Sequence, residues 1–160
     1  KMFKNIKILI ISIIILLILN SCGFKQVNNK DSELVYFEEV NVTGDRIVSY
    51  AIKNDILLMS KSGSKNNYKV EIKTSKNKNI KIKDKSGRVI RYNLSIVANL
   101  ELTDLDNKNK IKKTFVRNND FDVAKNHSAT INNEKSTIKN IVTKLSDEII
   151  SYIIIVIRNK

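Results

Sequence analysis

Cys22 and His127 are the only soft nucleophile and the only side chain of this 160-residue sequence with an ordinary pKa near neutrality. Cys22 follows the small residue Ser21 at the end of an apolar run, Ile8 to Leu19, that only Ser12 interrupts. Lys1, Lys4 and Lys7 precede that run, which completes the three-part pattern of a secretory signal. A bare signal makes no demand on the residue after the cut, whereas here Leu19 and Ser21 stand three and one places before a cysteine. His127 lies beside Asn126 and reads as a surface or helix-start residue rather than a general base. Asp104, Asp106 and Lys108 begin like a calcium loop, but a lysine at the third ligand position and Phe115 at the twelfth defeat it, leaving a turn. Asp84 to Arg88 holds one glycine and is too short for a nucleotide cradle. Its cations Lys85 and Arg88, with Arg91, fit either a phosphate-binding tip or a solvated hairpin end.

Leu19, Asn20, Ser21 and Cys22 together resemble a bacterial lipobox, with Asn20 its less usual member. That resemblance implies that residues 1–21 are a lipoprotein signal peptide, that the Cys22 thiol carries a diacylglycerol thioether, and that its freed amine takes a further acyl chain. Each buried methylene contributes about 0.8 kcal/mol, so several acyl chains hold a folded domain on a membrane without a spanning helix. The competing readings are an uncleaved anchor helix and a secreted protein with a free thiol. Twelve residues from Ile8 to Leu19 fall short of the roughly 20 that span a bilayer. With Cys22 acylated, no Cys and His pair remains, zinc lacks ligands and no disulfide can form. The expectation is therefore no enzyme, and no cofactor beyond the covalent lipid.

The formal charge is +13, of which Lys1, Lys4 and Lys7 supply part. Such a balance favours anionic partners. Lysine, isoleucine and asparagine are all abundant, however, and the amino-acid usage of an AT-rich genome accounts for the excess equally well. The absence of proline and the presence of only four glycines mean that turns must be built from Asn, Asp, Ser and Lys.

These residues must be positioned by one domain. Residues 22–33 read as the acylated cysteine and a polar tether, and 34–160 as a single α+β domain. Leu34, Tyr36, Val40 and Val42 share one parity, broken by Glu38, and predict a strand. Thr43 or Asp45 can cap a helix whose stripe runs through Ile47, Tyr50, Ala51, Asn54, Leu57 and Leu58 and which ends near Gly63. Tyr68, Val70, Ile72, Thr74, Ile80 and Ile82 predict a strand with a dry even face and a cationic odd face of Lys69, Glu71, Lys73, Lys81 and Lys83, interrupted at Lys76 to Asn79. A hairpin turn leads to the clearest strand, with Ile90, Tyr92, Leu94, Ile96, Ala98, Leu100 and Leu102 on one face. Ile111 to Phe121 offers a fourth strand. After Asn126 a long helix follows on Ile131, Ile138, Val142, Leu145, Ile149, Tyr152 and Val156. The order is β-α-β-β-β-α: a mainly antiparallel four-stranded sheet with both helices on its apolar face.

In pattern and order the sequence resembles the LptE family of lipopolysaccharide-assembly lipoproteins. Cys22, Gly23 and Phe24 are similar to that family's opening, Gly87, Arg91, Tyr92 and Leu94 to its hairpin and following strand, and Phe121, Asp122, Val123, Ser128, Ala129, Thr130 and Glu134 to the lead into its last helix. The resemblance implies partners: an LptD-like outer-membrane β-barrel that the protein plugs, lipopolysaccharide, and the membrane through the lipid anchor. It also implies a basic lipopolysaccharide contact at or near Lys85, with Arg88 and Arg91 beside it, and a second near Ile131, flanked by Lys125 and Lys135. Gly23, rather than aspartate, after the cysteine is consistent with residence in the outer membrane, facing the periplasm. The alternative is a surface-tethered periplasmic module for peptidoglycan or another anionic polymer. Nucleic acid is not expected, because no aromatic residue interleaves the cations of the odd face from Lys69 to Lys83.

Overall fold

A computed structural model describes residues 35–60 and 67–159. Leu19, Asn20, Ser21 and Cys22, the signal peptide and the tether lie outside the described residues.

The elements follow in the order β1 (Tyr36–Gly44), α1 (Arg46–Met59), β2 (Asn67–Lys83), β3 (Val89–Asp104), β4 (Lys110–Asp122) and α2 (His127–Arg158). The sheet order is β1-β2-β3-β4. β2 with β3 and β3 with β4 are antiparallel hairpins, whereas β1 and β2 are parallel, so the sheet is mixed. The parallel pair follows from α1, which carries the chain back past β1 before β2 begins.

One core joins the helices to one face of the sheet. It includes Val70, Ile72, Leu94, Ile96, Ala98, Leu100 and Leu102 from the central strands and Ile138, Ile141, Leu145, Ile149, Ile153 and Ile157 from α2. Each large aliphatic side chain fully withdrawn from water stabilises the fold by about 1.5–3 kcal/mol, and the even parity of β3 delivers four, Leu94, Ile96, Leu100 and Leu102, to the same face. That steady burial keeps the β-branched end of α2 helical. Asn126 caps its start, Oδ1 accepting from the Ala129 amide at 2.7 Å.

Three details depart from the periodicities. The buried residues are Val35, just before β1, and Phe37 and Val40 within it, because a register shift between Phe37 and Glu39 switches the inward parity. In α1 the buried set is Val48, Ser49, Ile52 and Ile56, while Ile47, Tyr50, Leu57 and Leu58 are exposed. The helix carries two apolar stripes, and packing against the sheet and α2 selects the buried one; Asp45 caps its start, accepting from the Val48 amide at 3.1 Å, and its carboxylate also holds Lys76 of β2 at 2.9 Å. Finally, β2 runs unbroken through Lys76 to Asn79, with irregular register only between Ile80 and Lys83. Lys76 and Lys78 stand on the helix side of β2 without breaking it, because Asp45 and Glu134 pair with them.

Candidate functional site

The β2–β3 hairpin extends past the covered part of the sheet, and its turn is built around one carboxylate. Asp84 Oδ1 accepts from the Ser86 amide at 2.9 Å, the Ser86 hydroxyl at 2.7 Å and the Arg88 amide at 3.0 Å, while Oδ2 receives Arg88 Nε at 2.9 Å. Gly87 completes the turn at φ +81°, a conformation that favours glycine. Arg88 is thus tied back into its own turn, although its side chain stays largely exposed. Arg91 is tied too, its Nε donating to Asp122 Oδ1 of β4 at 2.6 Å. Lys81 pairs with Asp120, which also accepts from Asn93 at 2.8 Å.

Lys85 is exposed at the turn, with no ion pair among the described residues. Lys125 is likewise exposed, and the segment before it is fastened to the hairpin by the Val123 amide, which donates to the Ile90 carbonyl at 3.0 Å. Lys135 lies elsewhere, lining a groove of about 470 Å³ between α1 and α2 with Ile47, Ala51, Ile138 and Val142. The five candidate cations therefore divide: Lys85, Arg88, Arg91 and Lys125 belong to the hairpin end, and Lys135 to the helix layer.

Apolar residues interleave those cations. Ile80, Ile82 and Ile90 are exposed near the tip, in strands whose even positions Tyr68 to Thr74 and Leu94 to Leu102 are buried. Behind them Tyr92 stacks on Phe121 with ring centroids 5.4 Å apart, and Lys78 Nζ lies 5.2 Å from the Tyr92 centroid while bonding Glu134 at 2.8 Å. Periodicity assigned Ile80 and Ile82 to the core; the missing information was how far the helices reach. A surface of cations beside short aliphatic groups can meet an amphiphile that carries anionic groups next to its acyl chains.

The opposite end of the sheet receives the chain. Tyr36 pairs with Asn67, and the Phe37 amide donates to Ser60 Oγ at 3.1 Å, so Val35 enters beside the C-terminus of α1. With a rise of about 3.3 Å per residue, β2 separates this entrance from the hairpin turn by roughly 50 Å.

The outer face of the sheet is less cationic than its lysines imply. Lys69 lies 2.9 Å from Glu39 and 3.5 Å from Glu71, while Lys110 and Lys112 lie 2.8 and 3.0 Å from Glu101. Glu71 is a neighbour of Lys69 on the same face of β2, whereas Glu39 of β1 and Glu101 of β3 meet their lysines only through strand register. The ammonium of Lys69 holds Glu39 below its ordinary 4.5, and Lys110 with Lys112 does the same for Glu101. Hydrogen bonds from Ser86 and then Arg88 lower Asp84 from 3.8, and those from Asn93 and Lys81 lower Asp120. These carboxyls bind protons less readily folded than unfolded, so their stabilisation is present above the unfolded values and is lost as pH falls through the lower folded ones. The expected result is a thermal midpoint that is level from neutrality to about pH 5 and declines below about pH 4, followed by circular dichroism.

Among the described residues, no group of His, Cys, Asp and Glu side chains is placed to hold a metal, and no helix is long and apolar enough to cross a membrane. Asp104 serves its turn, Oδ1 accepting from the amides of Asp106 and Asn107 at 3.0 and 3.2 Å, and His127 is exposed in the first turn of α2.

None of the curated proteins matches the sequence significantly. Among solved structures, the chain is similar to rare lipoprotein B from Shewanella oneidensis, with a TM-score of 0.60 at 12% identity, covering 76% of this chain and 97% of that one. It is also similar to a putative lipoprotein from Caulobacter crescentus, with a TM-score of 0.51 at 16% identity, covering 81% and 94%. At such identities the likeness establishes the shared fold. The sequence itself matches the LptE lipopolysaccharide-assembly family across residues 19–153, a span that contains every element of the sheet and most of α2. With both hairpins, the parallel β1–β2 pair and most of the last helix inside one continuous match, the chain belongs to the LptE family of lipopolysaccharide-assembly proteins.

Proposed function

We propose that this protein is a non-enzymatic lipoprotein of the outer membrane. It is moored on the periplasmic face by diacylglycerol and an N-acyl chain on Cys22, plugs an LptD-like β-barrel, and presents lipopolysaccharide through its hairpin end. Membership of the family supports the general role. The observation that carries the finer reading is the tip, where Lys85 and Lys125 stand exposed near the exposed Ile80 and Ile90, roughly 50 Å from the entrance of the chain at Val35. Lipid A carries phosphates beside acyl chains, which is the chemistry such a surface matches. A module for an anionic polymer draws less support, because Glu39, Glu71 and Glu101 neutralise the lysines on the sheet's outer face.

The double variant Lys85→Glu and Lys125→Glu is expected to weaken lipopolysaccharide binding at least tenfold, a loss of about 1.4 kcal/mol or more. Arg91→Ala should have a smaller effect on binding, because Asp122 already engages that guanidinium. Binding of the full chain to immobilised lipopolysaccharide at fixed salt checks both, and an unaltered affinity in the charge-reversed pair sinks the tip assignment.

A further inference from the structure

The outer stripe of α1 is left uncovered by the fold. Ile47 is 66% exposed, Tyr50 55%, Leu57 43% and Leu58 85%, and their spacing keeps all four along one side of a fourteen-residue helix. Ile47 also lines the groove of about 470 Å³ between α1 and α2, so the stripe continues into the groove walls of Ala51, Ile138 and Val142. Single exposed aliphatic groups are ordinary on a protein, whereas a row of four beside an apolar groove is a surface shaped for a partner. It is separate from the hairpin tip, since Leu57 and Leu58 sit at the end where β1 begins.

The charges around this surface differ from those of the sheet. There, cations are matched by carboxylates, as Lys69 is by Glu39 and Lys110 by Glu101. Around the stripe they are not: Arg46 and Lys53 of α1 and the exposed Lys135 and Lys139 of α2 have no ion pair among the described residues, and Asp55 is the one acid lining the groove. Arg46 and Lys53 stand four and three places from Tyr50 and flank it on the helix, while Lys135 and Lys139 flank the groove.

We infer that this surface receives a short segment of the barrel partner, one that carries apolar side chains with carboxylates beside them. The contact rests on the barrel partner proposed above, and adds which face of this chain is used and what chemistry must meet it. Charge complementarity selects an acidic segment, whose carboxylates reach the four unmatched cations while its apolar side chains cover Ile47, Tyr50, Leu57 and Leu58. The dimensions select a short one: Ile47 to Leu58 advances roughly 16 Å along α1, and Lys135 to Thr143 about 12 Å along α2, which is three helical turns or fewer. The wall of a barrel lumen is polar, so it suits the outer face of the sheet with its paired charges, whereas the apolar stripe suits a loop of the barrel folded into the lumen. A second copy of this chain fits poorly, because it would set the same cations against one another.

The test isolates full-length tagged chain from membranes in mild detergent and quantifies the barrel recovered with it. Two double variants are compared with the parent: Tyr50→Ser with Leu58→Ser, and Lys135→Glu with Lys139→Glu. All four side chains are exposed, so each variant should keep the parent's circular dichroism and thermal midpoint. Barrel recovery is expected to fall at least fivefold in both, while the serine variant binds immobilised lipopolysaccharide within twofold of the parent. In the parent complex, carbodiimide should join Lys135 or Lys139 to an aspartate or glutamate of the barrel, and p-benzoylphenylalanine in place of Leu58 should label a barrel peptide near that carboxylate. Undiminished recovery in folded variants overturns the inference, as does labelling of lipopolysaccharide or of a second copy from position 58. If a variant loses its fold, the two couplings decide alone, and their absence from a recovered complex overturns it. A parent chain that brings down no barrel removes the partner itself, whereas equal recovery by parent and variants removes only this docking face.

Discussion

Gly44→Ala is expected to unfold the domain or to cost it more than about 3 kcal/mol. Gly44 has φ +102°, which L side chains rarely adopt, and a Cβ there would stand 1.8 Å from the Thr74 carbonyl oxygen. The obstacle is backbone, and it cannot rotate away. Thr74 itself is fixed, its hydroxyl donating to the Thr43 carbonyl at 3.2 Å and placed 3.4 Å from the Asp45 carbonyl, while the Asp45 amide donates to the Thr74 carbonyl at 3.4 Å. Moving that strand would disturb the end of β1, the cap of α1 and the Lys76 pair together. A loss of this size is a large share of the 5–15 kcal/mol that holds a typical domain folded. Gly87→Ala provides the contrast. Its φ is +81° but nothing lies within 4 Å of the added Cβ, so the cost should be limited to backbone strain of about 1–2 kcal/mol. Denaturant unfolding of the two variants measures the difference, and equal losses would refute the steric account.

Cys22→Ala is expected to abolish membrane retention. Acyl chains contribute about 0.8 kcal/mol per buried methylene, so their removal takes away far more attachment than any single protein side chain supplies. In cells the variant should lose incorporation of labelled palmitate and accumulate with its leader uncut, and the parent chain should accumulate as a precursor when the lipoprotein signal peptidase is blocked with globomycin. Wild-type labelling in the Cys22→Ala chain would remove the anchor from the account.

How far these features were legible in the sequence depends on whether they are local. The even parity of Leu94 to Leu102 and the three-and-four spacing of Ile138 to Ile149 are properties of neighbouring residues, and both named core positions correctly. Even along α2 the ends differ, since Ile131 is exposed and Ile153 and Ile157 are buried in place of Tyr152 and Val156, which are half-buried. The α1 stripe is ambiguous in the sequence because Ile47, Tyr50, Leu57 and Leu58 match a helical period as well as Val48, Ile52 and Ile56 do, and only packing against the sheet and α2 chooses between them. The bulge after Phe37 leaves no composition signal, so the parity of β1 could not be read across it. At the hairpin, Lys85, Arg88 and Arg91 were visible as cations, but their availability was not. Arg91 is occupied by Asp122, thirty-one residues later, which only the β3–β4 register brings opposite. The exposure of Ile80, Ile82 and Ile90 depends likewise on where the helix layer ends.

The most direct measurement of the central claim, that this domain works as a moored component of a lipopolysaccharide-assembly machine, is isolation of the full-length tagged chain from membranes in mild detergent with identification of everything retained. The account predicts that one large outer-membrane β-barrel protein is recovered in near-equal amount, with lipopolysaccharide in the same complex. Recovery of the folded, acylated chain without any barrel would contradict it.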